Sequence, residues 1–417
     1  MTALHRSRAV VTGIGPVAPC GIGVDDFWDA VIEGRSGIGP ITLFDCSNFD
    51  AQVAGEVHDF DLSNYLHTKT PARRLARQTQ LVLAATKIAI ENAKLTDELA
   101  RMGGAVPVYL GVSTSSYSMV EQAATQLIQK GPHRISPFSS TASQPHQAAS
   151  AIAAEFGLTS TAQTFSSACP SGLDAIWAAA QCIRSGRSEI ALAGGGDAPV
   201  CALGIACLQQ SGLVSRVRLP GGTIGGPFNR GNDSGIISEG AGMLVIENYI
   251  HARERGAPIY GEIVSCATRV DSDSDHINGG LLTAMAQALT DAGLKTDDID
   301  YICAHASGHP ALDRAEVGVI KDLFGTHARQ IPISSIKGAI GNPLAAAGAL
   351  QLITCALALR DEMIPPTANL RSPDPCCDLD HVPGRGRKHR ADRILINAHG
   401  LGGGNSCMVF QRVESAC

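Results

Sequence analysis

The hydrophobic and polar residues of the chain follow two alternating patterns. Short runs rich in β-branched residues predict buried strands, which include Arg8–Thr12, Val108–Val112, Ile190–Ala193 and Met243–Glu247. Longer Ala-rich runs with apolar residues at helical spacing predict helices, which include Leu75–Ala93, Pro145–Phe156, Pro170–Arg184, Leu281–Ala292 and Pro343–Leu359. Strands that alternate with helices in this way are typical of an α/β protein with buried sheets.

The same order of features occurs in both halves of the chain. In the first half, PVYLGV predicts a strand, and FSSACPSG later precedes an Ala-rich helix. In the second half, DYICAHASG predicts a strand, and IPISSIKGAIGNP precedes another Ala-rich helix. A duplicated α/β unit brings corresponding strand ends together, and ligands bind where parallel strands end. We therefore expect a site shared between residues 1–255 and residues 256–417, with the boundary near Gly256.

Cys169 is the first candidate for chemistry, because it directly precedes the helix that Pro170 is expected to open. A thiol at a helix N-terminus lies near the positive end of the helix dipole and near unpaired N–H groups, which stabilise the thiolate. The strand–turn–helix context resembles a nucleophile elbow. A single cysteine is more often a buried core residue, but this context favours a nucleophile.

The second half supplies polar candidates at the corresponding positions. His305 follows a predicted strand and can act as general acid or base or donate to a carbonyl oxygen, although a structural histidine is an equal alternative. Asn342 directly precedes a predicted helix, so we expect it first of all to cap that helix, and its amide can also reach a substrate oxygen. Lys337 is expected near the site, paired with Glu316 or Asp313.

One motif suggests a metal site and another suggests a dinucleotide-binding loop, but the neighbouring residues argue against both interpretations. His305 and His309 have an H-x-x-x-H spacing, but a glycine and a proline in the same loop break a helix and no third ligand is evident, so no metal site is expected. A strand follows the glycines of NAHGLGGGNSCMVF, which excludes a dinucleotide-binding loop. This Gly-rich turn better suits an oxyanion hole with one N–H from Cys169 and a second from Leu401.

Composition narrows the class of protein only a little. The chain has 417 residues and a net charge of −6 without a long basic run, which argues against nucleic-acid binding by bulk charge. Its 13 cysteines are scattered without a CxxC pair, and neither a signal-peptide core nor an apolar run of about 20 residues is evident. We therefore expect a cytoplasmic protein that does not insert into a membrane.

Six segments resemble the β-ketoacyl synthase family of the thiolase fold, specifically its type II fatty-acid and polyketide ketosynthases. In order along nearly the whole chain they are RAVVTGIGPVAPCGIGVDDFWDAVIEGRSGI, FSSACPSG, PFNRGNDSGIISEGAGMLVIE, HASGHPALDRAE, SSIKGAIGNPLAAAG and NAHGLGGGNSCMVF. The resemblance implies an α/β, thiolase-like, duplicated five-layer αβαβα fold. It also implies a dimer, either a homodimer or a ketosynthase heterodimer.

The resemblance assigns roles to residues by position. Cys169 matches the acyl-accepting nucleophile, His305 matches the first histidine, and Lys337 matches the lysine that supports it. Glu316 matches the glutamate of the same network. Leu401 takes the place of a gating phenylalanine whose backbone N–H completes the oxyanion hole.

Four further positions depart from the family pattern. Asn342 stands where the family has a second histidine, which gives a Cys-His-Asn set that chain-initiating and chalcone-synthase-like enzymes also use. Ser307 and His309 occupy two threonine positions that contact the pantetheine arm in the family, and His399 replaces a phenylalanine two residues before the gate. An amide still donates to a thioester carbonyl, but it cannot transfer a proton as an imidazole does.

The resemblance implies an acyltransferase that loads an acyl chain from an acyl carrier protein, or from coenzyme A, onto Cys169. It then condenses this chain with a malonyl thioester by decarboxylative Claisen chemistry in fatty-acid or polyketide biosynthesis. The substrates are carried on phosphopantetheine, and no tightly bound cofactor is expected. One alternative is a non-elongating transacylase or an atypical condensing enzyme of specialised metabolism. Another is a chain-length-factor-like partner of a heterodimer, which the presence of Cys169 disfavours.

Two further features have open interpretations. A degradative thiolase needs a second catalytic cysteine, and Cys407 lies within the last predicted strand, which disfavours that class. Arg73, Arg74 and Arg77 form a cationic cluster. The cluster either meets an acidic carrier protein or forms a solvated helix face.

Overall fold

The computed structural model describes residues 7–66, 70–102, 104–272, 279–400 and 402–413, which contain 15 strands and 13 α-helices. The strands are β1 (Ala9–Ala18), β2 (Gly21–Ile22), β3 (Ile38–Pro40), β4 (Val53–Gly55), β5 (Val108–Gly111), β6 (Ala162–Phe165), β7 (Ile190–Asp197), β8 (Gly240–Asn248), β9 (Gly261–Val270), β10 (Tyr301–Cys303), β11 (Ile333–Ser334), β12 (Met363–Ile364), β13 (Arg387–Lys388), β14 (Arg393–His399) and β15 (Gly404–Gln411).

The helices connect these strands and cover their faces. They are α1 (Val24–Glu33), α2 (Arg77–Asn92), α3 (Thr96–Arg101), α4 (Tyr117–Lys130), α5 (Ser139–Ala142), α6 (Gln147–Phe156), α7 (Ser171–Arg184), α8 (Ala202–Gln210), α9 (Tyr249–Glu254), α10 (Gly279–Ala292), α11 (Pro310–Phe324), α12 (Lys337–Ile340) and α13 (Ala346–Asp361).

Ten strands repeat one arrangement of five. The first group lies in the spatial order β6-β5-β7-β8-β1, and the second in the order β11-β10-β14-β15-β9. In each group the first three strands are parallel, and the last two pair antiparallel. β1 and β9 pair through Val10 and Val11, which joins the groups into one sheet. The internal repeat expected from the sequence is therefore present in the strand order, while the boundary near Gly256 stays a prediction.

Helices pack on both faces of each group and form five layers. α2 and α6 cover the outer face of the first group, and α10, with α11 packed on it, covers the outer face of the second. α7 and α13 contact each other and strands of both groups, so they form the central layer. Three large clusters of buried apolar residues fill the spaces between these layers. This arrangement confirms the expected duplicated five-layer α/β fold.

α13 explains how the centre of the fold is held together. Every residue from Ala346 to Leu359 is buried, as expected of a helix that is packed on all sides. Its 16 residues do not reach the length and apolar character of a membrane span, and neither does any other helix in the part of the chain that the structure describes.

The two central helices begin later than the sequence predicted. α7 begins at Ser171, with Pro170 in a helical backbone conformation at the capping position. α13 begins at Ala346 and not at Pro343, because Leu344 has a φ of 49°, a left-handed conformation that interrupts the helix. Both corrections concern the turn just before a central helix, where the candidate site lies.

Candidate active site

Cys169 lies in a sharp turn between β6 and α7. Ala168 takes a left-handed backbone conformation with a φ of 62°, which costs a residue with a Cβ about 1–2 kcal/mol. Ser171 holds the turn, since its N–H donates to the Ala168 carbonyl at 3.1 Å and its Oγ accepts the Ser167 N–H at 2.8 Å. Such strain persists only where the surroundings enforce it, and it clusters at functional sites. The turn therefore has the elbow geometry expected from the sequence.

One cavity of about 610 Å³ brings most of the predicted residues together with Cys169. Those that line it are Cys169, His305, Ser307, His309, Asn342 and His399. Lys337 and Glu316 hydrogen-bond to His305, and Asp313 fixes the loop that follows it. Leu401 lies outside the described residues, so its predicted role as gate and oxyanion donor stays a prediction.

Burial dominates the electrostatics of the nucleophile. It raises the pKa of the Cys169 thiol, and Asp197 adds to this, while the Lys337 ammonium, the Asn342 amide and the backbone N–H of Cys169 oppose it. A helix N-terminus contributes only about 0.3–1 kcal/mol, whereas full burial shifts a pKa by up to about 3–5 units. Burial therefore outweighs the stabilisation of the thiolate that the helix end was expected to provide. The neutral thiol is thereby favoured, and it must give up its proton when it attacks.

His305 is buried and has one defined tautomer. Its Nδ1 accepts the backbone N–H of His399 at 3.1 Å and lies 2.9 Å from Lys337 Nζ. Because both neighbours are donors, Nδ1 carries no proton and the neutral ring is protonated on Nε2. Burial, the Lys337 charge and His399 hold the pKa of His305 well below its ordinary value. His305 is therefore a neutral ring that can donate from Nε2 to a ligand in the cavity.

Lys337 and Glu316 hold the backbone of His305 from two sides. Lys337 Nζ also donates to the His305 carbonyl, and the Glu316 carboxylate accepts the His305 N–H at 2.9 Å and the Asn397 amide at 2.9 Å. Lys337 forms no ion pair with Glu316 or Asp313, contrary to the sequence-based expectation; all three residues lie in the described part of the chain. Burial lowers the pKa of Lys337 to about 8, although the Cys169, Glu316 and Asp313 charges oppose this shift.

Ser307 and His309 border the cavity on the loop before α11. The His309 N–H lies 3.4 Å from Ser307 Oγ, and its buried Nδ1 has no hydrogen-bond partner among the described residues. Asp313 fixes this loop by accepting the N–H groups of Gly308 at 3.2 Å and Phe228 at 2.8 Å, and burial raises the pKa of Asp313 to about 7. Contact with a pantetheine arm stays a prediction. Within the described ranges, no group of three or more His, Cys, Asp or Glu residues could hold a metal ion.

Asn342 does not cap α13, so the interpretation as a capping residue is wrong. The capping position belongs to Ala345, which makes no side-chain cap. The backbone of Asn342 pairs with Ile236 and Ser238, at 2.7 and 3.1 Å. Its side-chain amide lowers the pKa of the Cys169 thiol, and its buried Oδ1 has no partner in the described chain. The amide is therefore available to a ligand beside the thiol.

Gly400 places the Gly-rich turn directly against the nucleophile. A Cβ at this position would lie 2.8 Å from the Ala168 Cβ and 3.0 Å from the Cys169 nitrogen, so only glycine fits. The Cys169 N–H donates to no described residue. It is therefore free to stabilise an oxyanion that forms at the thiol.

Sequence reasoning missed the two residues that hold His399. Its Nδ1 lies 2.7 Å from Oδ1 of Asn405, and the Asn405 amide nitrogen donates to Asp271 at 3.0 Å and to the Gly403 carbonyl at 2.8 Å. These contacts depend on the register between β14, β15 and β9, in which His399 lies opposite Asn405. The only signal in the sequence is that Asp271 follows a strand and Asn405 follows a glycine run.

Apolar side chains form much of the remaining cavity wall, and sequence reasoning missed them as well. They are Tyr117, Leu208, Leu213, Ile237, Leu312 and Leu344. These residues come from separate segments, so no local pattern marks them as one site. A concave apolar wall with a few convergent polar groups is typical of a small-molecule site.

The arginines near the start of α2 do not form a free cationic cluster. Arg77 donates to Glu239 at 2.8 Å, and the Arg74 guanidinium lies 4.3 Å from the centroid of the Phe138 ring. Arg73 is exposed. Two of the three charges therefore have partners within the chain, which weakens the interpretation as a docking patch.

Comparison with protein families identifies the chain. The model of the beta-ketoacyl synthase N-terminal domain matches residues 6–252, and that of the beta-ketoacyl synthase C-terminal domain matches residues 260–371. Together the two matches cover most of the chain. The chain therefore belongs to the beta-ketoacyl synthase family, as the resemblance in its sequence indicated.

Relatives and solved structures of this family match the chain over nearly its whole length. The 3-oxoacyl-[acyl-carrier-protein] synthase 2 of Synechocystis sp. is 35% identical over 99% of this chain and 100% of its own. A putative polyketide beta-ketoacyl synthase 1 of Streptomyces halstedii is 37% identical over 98% of both chains.

Two solved structures share the fold closely. The ishigamide ketosynthase/chain length factor has a TM-score of 0.89 at 31% identity, over 98% of this chain and 100% of that chain. A ketosynthase in complex with a type II polyketide acyl carrier protein has a TM-score of 0.88 at 30% identity, over the same shares. The thiolase-like fold is thus confirmed.

Proposed function

We propose that the chain is a ketosynthase-like acyltransferase. It loads an acyl chain from an acyl carrier protein onto Cys169 and condenses it with a malonyl thioester in fatty-acid or polyketide biosynthesis. The observation that carries the proposal is the single cavity onto which the Cys169 thiol, the His305 ring and the Asn342 amide all open. The name of the Synechocystis relative supports a carrier-protein thioester as the substrate.

The loading step is a transthioesterification at Cys169. The sulfur attacks the thioester carbonyl carbon, the bond from that carbon to the pantetheine sulfur breaks, and the thiol proton passes to the departing pantetheine thiolate. The free Cys169 N–H stabilises the oxyanion of the tetrahedral intermediate. Because burial raises the pKa of this thiol, the proton must move during the attack.

The condensing step uses donors from the second half. Nε2–H of His305 and the Asn342 amide donate to the thioester carbonyl of the malonyl group, whose carbon–carboxylate bond breaks to release CO₂. The electron pair forms an enolate that both donors stabilise. The enolate carbon then attacks the acyl carbonyl on Cys169, the bond from that carbon to the Cys169 sulfur breaks, and the thiolate takes a proton from solvent. The Lys337 ammonium behind Nδ1 strengthens His305 as a donor.

The lining of the cavity supports these substrates. Its apolar wall of leucines, Ile237 and Tyr117 suits an acyl chain. Ser307 and His309 border the same cavity and are the positions where we propose that the phosphopantetheine arm lies.

We propose further that the chain acts as a dimer. Strand β6 forms one edge of the sheet, and α4 exposes Val120, Leu127 and Ile128, the last of these at 84%. An open sheet edge and an exposed apolar helix face are both typical of a protein interface. The partner is either a second copy or a related chain, as in the ishigamide ketosynthase/chain length factor. Because Cys169 is present, we assign this chain the ketosynthase role and not the chain-length-factor role.

A second candidate function is a non-elongating transacylase. It is favoured by one observation: Asn342 stands where a second proton-transferring imidazole is expected, while His309 and His399 add two other imidazoles to the cavity wall. Such an enzyme would acylate Cys169 and pass the chain to another nucleophile without loss of CO₂.

Product analysis tests the proposal. The purified chain is mixed with an acylated carrier protein and a malonyl carrier protein, and the acyl-enzyme, CO₂ and carrier-bound products are measured. We expect an adduct on Cys169, release of CO₂ and a product that is two carbons longer. Acyl transfer without CO₂ would favour the transacylase, and the absence of any adduct on a correctly folded chain would contradict both. A His305→Ala variant, which should load but not elongate, is the matched control.

A further inference from the structure

His305 and His399 border the same cavity, yet their hydrogen bonds impose opposite tautomers. Their ring centroids lie 6.0 Å apart with an angle of 78° between the planes. Nδ1 of His305 faces two donors and is therefore an acceptor. Nδ1 of His399 faces the oxygen of an amide, Oδ1 of Asn405, at 2.7 Å.

The orientation of the Asn405 amide is determined by its other contacts. Its nitrogen lies 3.0 Å from a carboxylate oxygen of Asp271 and 2.8 Å from the Gly403 carbonyl, and both of these groups only accept hydrogen bonds. The amide oxygen must therefore face His399. Because that oxygen only accepts, Nδ1 of His399 carries the proton, and the neutral ring has its lone pair on Nε2.

This arrangement is rigid. Asn405 is fully buried within β15, and Asp271 is fixed in turn, because its other carboxylate oxygen accepts the Gly280 N–H at 2.6 Å. The backbone of Asp271 also donates to the Gly403 carbonyl at 2.8 Å. No described residue hydrogen-bonds Nε2 of His399, and the ring lines the cavity.

We infer that His399 is the proton acceptor for acyl transfer at Cys169, an inference that rests on the acyltransferase function proposed above. The three candidate catalytic residues otherwise offer only hydrogen-bond donors to the reacting atoms. These donors are the Cys169 N–H, Nε2–H of His305 and the amide nitrogen of Asn342. They stabilise negative oxygen but cannot take a proton from the thiol. Gly400, the next residue after His399, lies directly against the Cys169 nitrogen, so the backbone that carries the ring reaches the nucleophile, and the ring lines the same cavity as the thiol.

The step balances without a further reactant. As the Cys169 sulfur attacks the thioester carbonyl, its proton moves to Nε2 of His399. Asn405 and Asp271 stabilise the imidazolium that results, because Nδ1–H keeps its acceptor and the carboxylate lies 4.0 Å from Nδ1. When the bond to the pantetheine sulfur breaks, the leaving thiolate takes the proton from Nε2. The acyl group remains on Cys169, and His399 returns to its neutral tautomer.

Rapid-quench measurements of loading test this role. Formation of the acyl-enzyme from an acylated carrier protein is followed by intact-protein mass spectrometry in wild type and in His399→Phe, which keeps the ring volume and the backbone N–H but removes the lone pair. General base catalysis contributes about 10²–10⁴-fold, so we expect loading to slow by at least about 100-fold. Release of CO₂ from a malonyl carrier protein by the same variant should change by less than tenfold, because His305 and Asn342 remain.

Chemical rescue separates proton transfer from a structural role. We expect free imidazole to restore loading in His399→Gly, which leaves space for it, but not in His399→Phe; a Cys169→Ala blank corrects for uncatalysed reaction. Equal loading by wild type and His399→Phe would overturn the inference and leave the proposed function intact. A slow His399→Gly that imidazole does not restore would also overturn it. Failure of the wild type to form any adduct would overturn the proposed function, and the inference with it.

Discussion

The two halves of the molecule contain the same kind of turn before a central helix, but only one turn carries a nucleophile. In the first half the left-handed residue is Ala168, and Cys169 follows it; in the second half it is Leu344, and Ala345 follows it. The Ala345 N–H donates to the buried carboxylate of Asp197 at 3.0 Å, whereas the Cys169 N–H donates to no described residue. The same backbone geometry thus supports chemistry in one half and packing in the other.

The two turns also meet at the centre of the fold. A Cβ at Gly172, in the first turn of α7, would lie 2.4 Å from the Ala345 carbonyl oxygen, so the close approach requires glycine. The second turn is thereby buried, and the second half contributes through His305, Asn342 and Lys337 instead. Duplication provides the scaffold, and the side chains placed on each copy determine what it does.

The largest expected effect comes from removing the nucleophile. Cys169→Ala should form no acyl adduct with an acylated carrier protein, because no other cysteine in the described chain lines the cavity. Cys407→Ser is the matched control: Cys407 is buried in β15 and donates to Asn397 at 3.3 Å, a contact that a hydroxyl preserves. Intact mass spectrometry should detect the adduct in this control. An adduct on Cys169→Ala would contradict the assignment of the nucleophile.

Asn342→Ala should separate the decarboxylation step from the loading step. Loss of one preorganised donor costs about 10²–10³ in rate, so release of CO₂ from a malonyl carrier protein should fall by this factor. Loading should change by less than about tenfold, since the amide is only one of several groups that lower the pKa of Cys169. Both rates are measured on the same preparation. Equal losses in the two steps would mean that Asn342 supports the site as a whole and not the decarboxylation.

The lowered pKa of Lys337 predicts that the free energy of unfolding and the rate of decarboxylation both depend on pH. Lys337→Met should abolish this dependence. Burial lowers its pKa from 10.5 to about 8, so above pH 8 the unfolded chain holds the proton more tightly than the folded chain. The free energy of unfolding of the wild type should therefore rise, relative to the variant, as the pH increases from 8 towards 10.5. Decarboxylation should fall over the same range, because His305 loses its cationic support. Urea titrations and CO₂ release at each pH test both trends, and parallel profiles for the two proteins would contradict them.

Glycine substitutions should distinguish the two turns by stability. Ala168→Gly relieves about 1–2 kcal/mol of left-handed strain in the folded state. The glycine also stabilises the unfolded state by about 0.4–1 kcal/mol, because it gives that state more conformational entropy. The free energy of unfolding should thus stay equal or rise by up to about 1.6 kcal/mol. Leu344→Gly also removes a buried side chain, a loss of about 2–5 kcal/mol for comparable truncations, so it should destabilise. Urea denaturation measures both variants, and a destabilised Ala168→Gly would show that the first turn is not strained.

The repeat, the elbow and most polar residues of the site could be predicted from the sequence because each leaves a local pattern. Cys169 precedes a proline-started helix, and His305 follows a β-branched strand. The relation of Asn342 to the thiol could not be predicted in this way. A residue before a proline and an Ala-rich run is a reasonable capping position, and only the left-handed Leu344 moves the helix start beyond it.

The net pKa shift of Cys169 and the support of His399 depend on tertiary structure. Burial outweighs the helix end at Cys169, and burial is set by distant segments that include Ile237 and Leu344. Likewise, the tautomer of His399 follows from the register of three strands, which places Asn405 between its ring and Asp271. No spacing along the chain carries that information.

Acylation of Cys169 and decarboxylation by the His305 and Asn342 donors are separate steps of the proposed reaction, and one measurement tests this most directly. Cys169→Ala is incubated with a malonyl carrier protein, and CO₂ and acetyl carrier protein are quantified. We predict that CO₂ and acetyl carrier protein form without any condensation product, and that adding His305→Ala to the same variant stops their formation. A correctly folded Cys169→Ala that releases no CO₂, or a double variant that releases as much as the single one, would contradict the account.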